Sequence, residues 1–127
     1  MSKSPGHRQW PEHEVHEESL DYKVNVTVVD EIIAESNDVI KVDEDDCPAR
    51  YYFRRADVDM GMLEPSATTT ECPFKGTASY FNIRVGDKKL PDAVWSYEHP
   101  YDEHRELRGR LAFYDDKVPG INIQPRP

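Results

Sequence analysis

Valines that alternate with other residues just after residue 22 constrain the fold more than any other feature of this sequence. Val24, Val26 and Val28 are each separated by one residue. This period of two predicts a half-buried β-strand, because successive side chains of a strand point to opposite faces. Valine and isoleucine also outnumber leucine about three to one, which is typical of strand-rich proteins. The chain is therefore expected to be mainly β.

Further short strands are predicted along the rest of the chain. Three strands are expected to form a meander over residues 23–42, because turn residues at 30–31 and 36–38 divide this segment. The other predicted strands share an apolar or alternating pattern and lie at 50–55, 78–85, 93–97 and 111–114. Helical structure is limited to one or two short turns, one of them within 57–63 with Asp57 as its expected N-cap.

The N-terminal segment differs in composition from the rest. It is polar, contains Pro5 and Pro11 and shows no sustained period, so residues 1–22 are predicted to form an extended arm. Residues 23–127 are long enough for one core and are predicted to form a single mainly β domain. Trp10 is expected to anchor the arm to this domain or to a neighbouring subunit, and the second arrangement would be a homodimer.

Charge and hydropathy exclude several classes of partner. The chain carries 25 acidic and 16 basic residues, and its mean hydropathy is −0.82. The acidic excess is concentrated in 30–46, which we interpret as a solvated hairpin and loop rather than a calcium site, since the EF-hand spacing is absent. We expect no nucleic-acid partner, because no basic stripe is present. The sequence has neither an apolar stretch long enough for a membrane nor a signal peptide, so a cytoplasmic protein is expected.

The cysteines and histidines do not predict a metal site. The two cysteines, Cys47 and Cys72, belong to no Cys-x-x-Cys motif, so neither a four-cysteine zinc site nor a disulfide framework is available within the chain. Both thiols are expected to be reduced. His7, His13 and His16 suit Zn²⁺ or Ni²⁺ as ligands, but an unstructured arm does not preorganise them. We therefore predict no metal and no cofactor.

The densest chemical signal is the segment Cys-Pro-Phe-Lys-Gly at 72–76, toward which residues 64–70 are expected to turn the chain. In one interpretation, proline and glycine fix a bend that presents the Cys72 thiol and the Lys75 ammonium to a cleft, where they could act as catalytic groups or bind an anion. In the other, Cys72 is a small buried apolar residue, and Lys75 caps exposed carbonyl groups. The sequence leaves both interpretations open.

Aromatic residues on several predicted strands could complete this cleft. Tyr52, Trp95, Tyr97 and Tyr80 would either line a concave apolar wall with polar tips or form part of the core. Arg54 is expected on the same face of its strand as Tyr52, where it and Lys75 would attract a phosphate or carboxylate. The predicted ligand-binding residues are Tyr52, Arg54, Cys72, Lys75, Trp95 and Tyr97.

Three motifs also carry a family resemblance: T-x-C-P-x-K-G-x-A-x-Y at 70–80, W-x-Y-x-x-P at 95–100 and A-F-Y at 112–114. Together they resemble a widespread family of small uncharacterised domains catalogued as nucleotidyltransferase-like. The resemblance implies a compact antiparallel two-sheet fold, tent-like (Mss4-like) and similar in outline to methionine sulfoxide reductase domains. Many such domains hold a structural zinc on paired Cys-x-x-Cys motifs, which are missing here. Arg54 departs from the family pattern, in which many relatives have proline.

Three functional hypotheses follow. The leading one is a cytoplasmic domain that binds an unknown polar or anionic small molecule in the cleft. The second is an enzyme, either thiol-dependent through Cys72 or a metal-assisted nucleotidyltransferase using Asp57 and Asp59, although no Gly-Ser turn precedes these aspartates and no P-loop is present. The third is a protein-interaction module using the arm or the acidic hairpin. The first two require Lys75 and Tyr97 to face one solvent-reachable space.

Overall fold

The computed structural model describes residues 4–45 and 47–126. Ten strands lie in this part of the chain: β1 Val15–Leu20, β2 Lys23–Val28, β3 Glu31–Ser36, β4 Val39–Glu44, β5 Arg50–Phe53, β6 Leu63–Cys72, β7 Gly76–Val85, β8 Lys88–Tyr97, β9 Leu111–Phe113 and β10 Ile121–Arg126. Helical structure consists of α1 at Pro5–Gln9 and 3-10 segments at Arg55–Asp57, Met60–Met62 and Asp102–Leu107. The predicted arm's residues 1–3, Asp46 of the acidic run, Pro127 and the His7 side chain lie outside the described part.

The strands form two antiparallel sheets. The larger has seven strands in the order β1-β4-β5-β9-β8-β7-β6, and the smaller has three in the order β10-β2-β3. The prediction of a mainly β, antiparallel two-sheet fold is confirmed. In the described residues, no helix combines the length and apolar character needed to cross a membrane.

The large sheet buries side chains on both faces. One face packs against the small sheet and brings Phe53 and Phe113 together with the predicted alternating valines of β2. The opposite face, which we call the cavity face, buries a second cluster that includes Tyr52 and Trp95. Because side chains alternate along a strand, the neighbouring residues Tyr52 and Phe53 point to different faces. The cavity face carries the candidate site.

Strand pairing differs from the predicted meander. β2 and β3 pair with each other, as expected, but β4 lies between β1 and β5 in the large sheet. The turn at 36–38 therefore carries the chain from one sheet to the other. β1 falls within the segment predicted as an arm, and it forms an edge of the large sheet. Alternation along a strand specifies its faces but not its partners, which is why the pattern misassigned β4.

Two local predictions around residues 57–72 are also corrected. The segment expected to turn the chain belongs to β6, whose position at the sheet edge tolerates Pro65. The expected N-cap Asp57 does not cap a turn. Asp59 does so instead, accepting a hydrogen bond from the Gly61 N–H at 3.1 Å. Asp57 accepts hydrogen bonds from the Ser36 hydroxyl and the Arg54 guanidinium.

Candidate functional site

A cavity of about 230 Å³ lies on the cavity face of the large sheet. Side chains from β4 to β8, from the connections after β4 and β6, and from Tyr114 line it. Among these residues are Tyr52, Cys72, Lys75, Trp95 and Tyr97, five of the six predicted ligand contacts. Lys75 and Tyr97 thus line one cavity, and less than a tenth of each residue is exposed to solvent. That these residues bind a ligand remains a prediction.

Arg54 is the predicted contact that does not line this cavity. β5 ends at Phe53, so Arg54 leaves the strand and pairs with Asp57 and Asp38 at a separate depression. Arg50, at the start of β5, lines the cavity instead. Arg50 and Tyr52 are two positions apart in the strand and therefore share a face. This spacing was visible in the sequence and could have identified Arg50.

The carboxylates proposed for metal-assisted transfer lie elsewhere. Asp57 lines the depression with Arg54, and the Ser36 and Arg54 hydrogen bonds lower the pKa of its carboxyl group despite partial burial. Asp59 caps the turn before Gly61. Neither aspartate lines the cavity. Within residues 4–45 and 47–126, no group of three or more histidine, cysteine, aspartate or glutamate side chains is arranged to hold a metal ion.

The predicted bend at 72–76 joins β6 to β7 and positions Lys75. Cys72 pairs with Gly76 across the connection, and the Lys75 carbonyl accepts a hydrogen bond from the Tyr101 N–H at 3.0 Å. Gly76 has a φ of +122°, and a Cβ there would lie 3.3 Å from the carbonyl oxygen of His99. A side chain at residue 76 would therefore strain the backbone and crowd this contact. The bend places Lys75 in the lining of the cavity.

Lys75 forms an ion pair with a carboxylate that the predicted arm also contacts. Its side chain is 6% exposed, and its Nζ donates to Glu44 Oε1. The other Glu44 oxygen lies 2.9 Å from His13 Nε2, and the His13 ring stacks on Phe74 at 4.2 Å. Lys75 therefore binds a carboxylate and not the carbonyl groups considered from the sequence, and the segment after α1 is tied to the cavity wall.

The charge state of Glu44 makes stability depend on pH. Burial opposes ionisation of Glu44, but the hydrogen bonds and charges of Lys75 and His13 outweigh it and lower the pKa below its ordinary value of 4.5. Glu44 ionisation therefore stabilises the fold at neutral pH, and this contribution is lost as pH falls from about 4.5 through the lowered pKa.

We predict that wild type and Glu44→Gln converge in stability as pH falls. The free energy of unfolding should differ clearly at neutral pH, and the difference should shrink as pH falls from about 4.5 through the lowered pKa of Glu44, because a protonated glutamic acid resembles glutamine. Urea denaturation of both proteins across this range measures the difference, and other titrating carboxyl groups cancel in the comparison. A difference that is constant with pH would contradict the prediction.

Tyrosine hydroxyls and the Trp95 indole form the cavity's polar lining. Trp95 Nε1 donates to the Tyr52 hydroxyl at 3.1 Å, and the Tyr80 hydroxyl lies 3.0 Å from the Thr70 hydroxyl. Burial raises the pKa of Tyr52 and of Tyr97, and the neighbouring Tyr52 and Cys72 raise that of Tyr97 further. Both phenols are therefore neutral at physiological pH and keep a hydrogen to donate.

Arg50 closes another side of the cavity through its guanidinium group. This group lies 5.3 Å from the Trp95 ring centroid and 5.1 Å from that of Tyr114, within the range of cation–π attraction. Arg50 also donates to Asp116 at 2.7 Å, and this hydrogen bond lowers the pKa of Asp116 against the effect of partial burial. The aromatic rings and Asp116 hold the cation in place.

Comparison with known families identifies the chain. A family model described as a domain of unknown function (DUF427, also labelled NTP_transf_9) matches residues 16–123. The chain belongs to the DUF427 family. This confirms the family resemblance found in the sequence, and the match includes every strand that lines the cavity. No curated protein matches this DUF427 chain.

Proposed function

We propose that this DUF427 protein binds a small polar molecule bearing an anionic oxygen group, such as a carboxylate or phosphate, in the cavity on the large sheet. One observation carries the proposal: among the described residues, Lys75, Arg50 and Tyr52 have hydrogen-bond donors in the cavity lining that no protein acceptor receives.

The unsatisfied donors are found by comparing the N–H and O–H groups of each side chain with the acceptors that it contacts. Both oxygens of Glu44 already accept, one from Lys75 and one in the contact with His13. An ammonium has three N–H donors and a guanidinium five, whereas Glu44 engages one donor of Lys75 and Asp116 engages two of Arg50. Within the described part of the chain, the Tyr52 hydroxyl accepts from Trp95 and has no acceptor for its own hydrogen. A ligand rich in acceptor atoms would satisfy these donors.

The charge and volume of the cavity restrict the class of ligand further. In the part of the chain that the structure describes, the acidic and basic side chains that line the cavity are Glu44, Lys75 and Arg50, which favours a ligand of negative charge. The volume of about 230 Å³ is below the roughly 300–1,000 Å³ typical of pockets for drug-sized molecules. Aromatic faces from Trp95 and the tyrosines suit a flat apolar part. A compact carboxylate or phosphate with a planar group meets these requirements.

The test is a binding series with matched arginine variants. The probes are acetate, benzoate, phenyl phosphate and inorganic phosphate, with benzamide as a neutral control. At a concentration of about 100 Kd, a bound probe stabilises the native state by about 2.7 kcal/mol, which thermal unfolding detects. Titration calorimetry then compares Arg50→Met with Arg54→Met, which makes the same change outside the cavity.

We predict that Arg50→Met weakens binding of the anionic probes about tenfold or more, because it removes charge-assisted donors worth about 1.5–3 kcal/mol. Arg54→Met should leave the affinity unchanged. The proposal fails if no anionic probe binds, if benzamide binds as tightly as benzoate, or if both arginine variants weaken binding equally.

Cys72 supports the thiol-dependent enzyme as a second candidate, because the thiol lines the same cavity as Lys75 and lies beside Tyr97. The nucleotidyltransferase alternative lacks such support, since Asp57 and Asp59 do not line the cavity. The interaction-module hypothesis remains a prediction. Its clearest feature is Trp10, which is 50% exposed and lies near Phe74.

A further inference from the structure

Both cysteines of the chain line the candidate cavity. Cys47 lies in the connection between β4 and β5 and is exposed, whereas Cys72 is the last residue of β6 and is partly buried. One thus lies in a connection and the other at a strand end, and they are far apart in sequence. Nothing in their sequence spacing suggests that they meet, yet they face one space of about 230 Å³.

We propose that Cys47 and Cys72 are a reversible redox pair, in which a hydroperoxide that enters the cavity oxidises Cys72 and Cys47 then resolves it as an intramolecular disulfide. The inference goes beyond ligand binding and does not depend on it. Redox-active cysteines are typically solvent-accessible and close to a resolving thiol, and here the exposed Cys47 lines the same cavity as Cys72.

In the first step, the sulfur of Cys72 is the nucleophile. Its thiolate sulfur attacks one oxygen of the hydroperoxide, the O–O bond breaks, and Cys72 becomes a sulfenic acid while the other oxygen leaves as an alkoxide or hydroxide. The Lys75 ammonium and the Arg50 guanidinium line the same cavity and would stabilise this departing anion. A proton from solvent converts the leaving group to an alcohol or water.

In the second step, the two cysteines form a disulfide. The Cys47 sulfur attacks the Cys72 sulfenic sulfur, the S–O bond breaks, and the oxygen leaves as water with the thiol proton of Cys47 and the hydrogen of the sulfenic acid. Overall, two thiols and one hydroperoxide give one disulfide, one alcohol and one water. The hydroperoxide is reduced by two electrons that the two thiols supply, and an external thiol would restore the pair by exchange.

Formation of the disulfide would require the two cysteines to approach each other. A disulfide requires an S–S bond of about 2.05 Å and Cα atoms usually about 4.4–6.8 Å apart. Cys72 is held by its pairing with Gly76 in the β6–β7 ladder. Cys47, Pro48 and Ala49 belong to no strand, and Cys47 is joined to β4 by the hydrogen bond from its N–H to the Glu44 carbonyl. Cys47, which belongs to no strand, is therefore the partner that would move.

Peptide mapping after oxidation tests the pair in the unmodified chain. The protein at low concentration is treated with one equivalent of hydrogen peroxide or cumene hydroperoxide, alkylated and digested with trypsin. We expect loss of both free thiols, a monomer mass lower by two hydrogen atoms, and a cross-link between the tryptic peptides that span 42–50 and 56–75. Dithiothreitol should reverse all three changes.

Cys47→Ser and Cys72→Ser provide the matched variants. In Cys47→Ser, the Cys72 sulfenic acid should form at the wild-type rate and be trapped by dimedone because its resolving thiol is missing. In Cys72→Ser, the Cys47 thiol should remain reduced over the same time. The proposal is overturned if both wild-type thiols survive the treatment, if only disulfides between two chains form, or if Cys72 is oxidised without a cross-link to Cys47.

Discussion

Replacing Glu44 with glutamine is expected to lower the free energy of unfolding by about 3 kcal/mol at neutral pH. The change keeps the size of the side chain but removes the charge that faces Lys75, whose side chain is 6% exposed. Removing one partner of a buried ion pair typically costs about 3–5 kcal/mol, because the remaining charge is left without compensation. The lower end applies here, since 14% of the Glu44 side chain is accessible to solvent.

Two further variants distinguish the loss of stability caused by breaking the ion pair from the loss that any substitution could cause. The double variant Glu44→Gln with Lys75→Met should recover part of the loss, because it leaves no buried charge unpaired. Glu35→Gln, in the exposed pair of Lys23 and Glu35 at 3.5 Å, should change stability by no more than about 1 kcal/mol. Urea denaturation at constant pH measures all four proteins. Equal effects of Glu44→Gln and Glu35→Gln would contradict the buried-pair account.

Replacing Phe113 with alanine is expected to have a similarly large effect, about 3–5 kcal/mol of unfolding free energy. Phe113 is 1% exposed and meets Phe53 edge to face, with ring centroids 5.8 Å apart. Both rings lie on the face of the large sheet that packs against the small sheet. Truncation removes this aromatic contact and leaves a cavity where the two sheets join, so that the transfer and packing losses add.

Ile32→Ala is the control for the core prediction, because Ile32 is an apolar residue that is 58% exposed. A surface substitution of this kind should change stability by less than about 0.5 kcal/mol. The two variants are compared by urea denaturation at the same pH, with the denaturant dependence checked for two-state unfolding. A loss below about 1 kcal/mol for Phe113→Ala would mean that Phe113 does not anchor the contact between the sheets.

Much of the candidate site could be predicted from local sequence. Alternation places Trp95 and Tyr97 on one side of a strand, and the proline and glycine around Phe74 indicate the bend that presents Lys75. Both signals depend only on residues close in the chain. Arg54 was misplaced because the prediction extended β5 past its true end at Phe53. Strand ends depend on pairing with neighbouring strands, and β9 pairs with β5 only at Tyr52 and Phe53.

The contacts that give the site its charge could not be predicted in this way. Glu44 and Lys75 are 31 positions apart, and Glu44 appeared in the sequence only as one member of a solvated acidic run. In the structure, the end of β4 lies next to the bend before β7. The Glu44 carboxylate is therefore largely buried and forms an ion pair with Lys75. No local pattern distinguishes such a residue from its exposed neighbours Asp43 and Asp45.

The sequence alone determined that this protein is mainly β and that Trp95 and Tyr97 share one side of a strand, because side-chain alternation and turn residues act over a few positions. The two-sheet arrangement was implied by the family resemblance. Only the tertiary structure decided that β4 leaves the small sheet, that Arg50 and not Arg54 lines the cavity, and that Cys47 and Cys72 share it. These features depend on pairing between distant segments, which minimises the unpaired backbone groups and exposed apolar area of the whole chain.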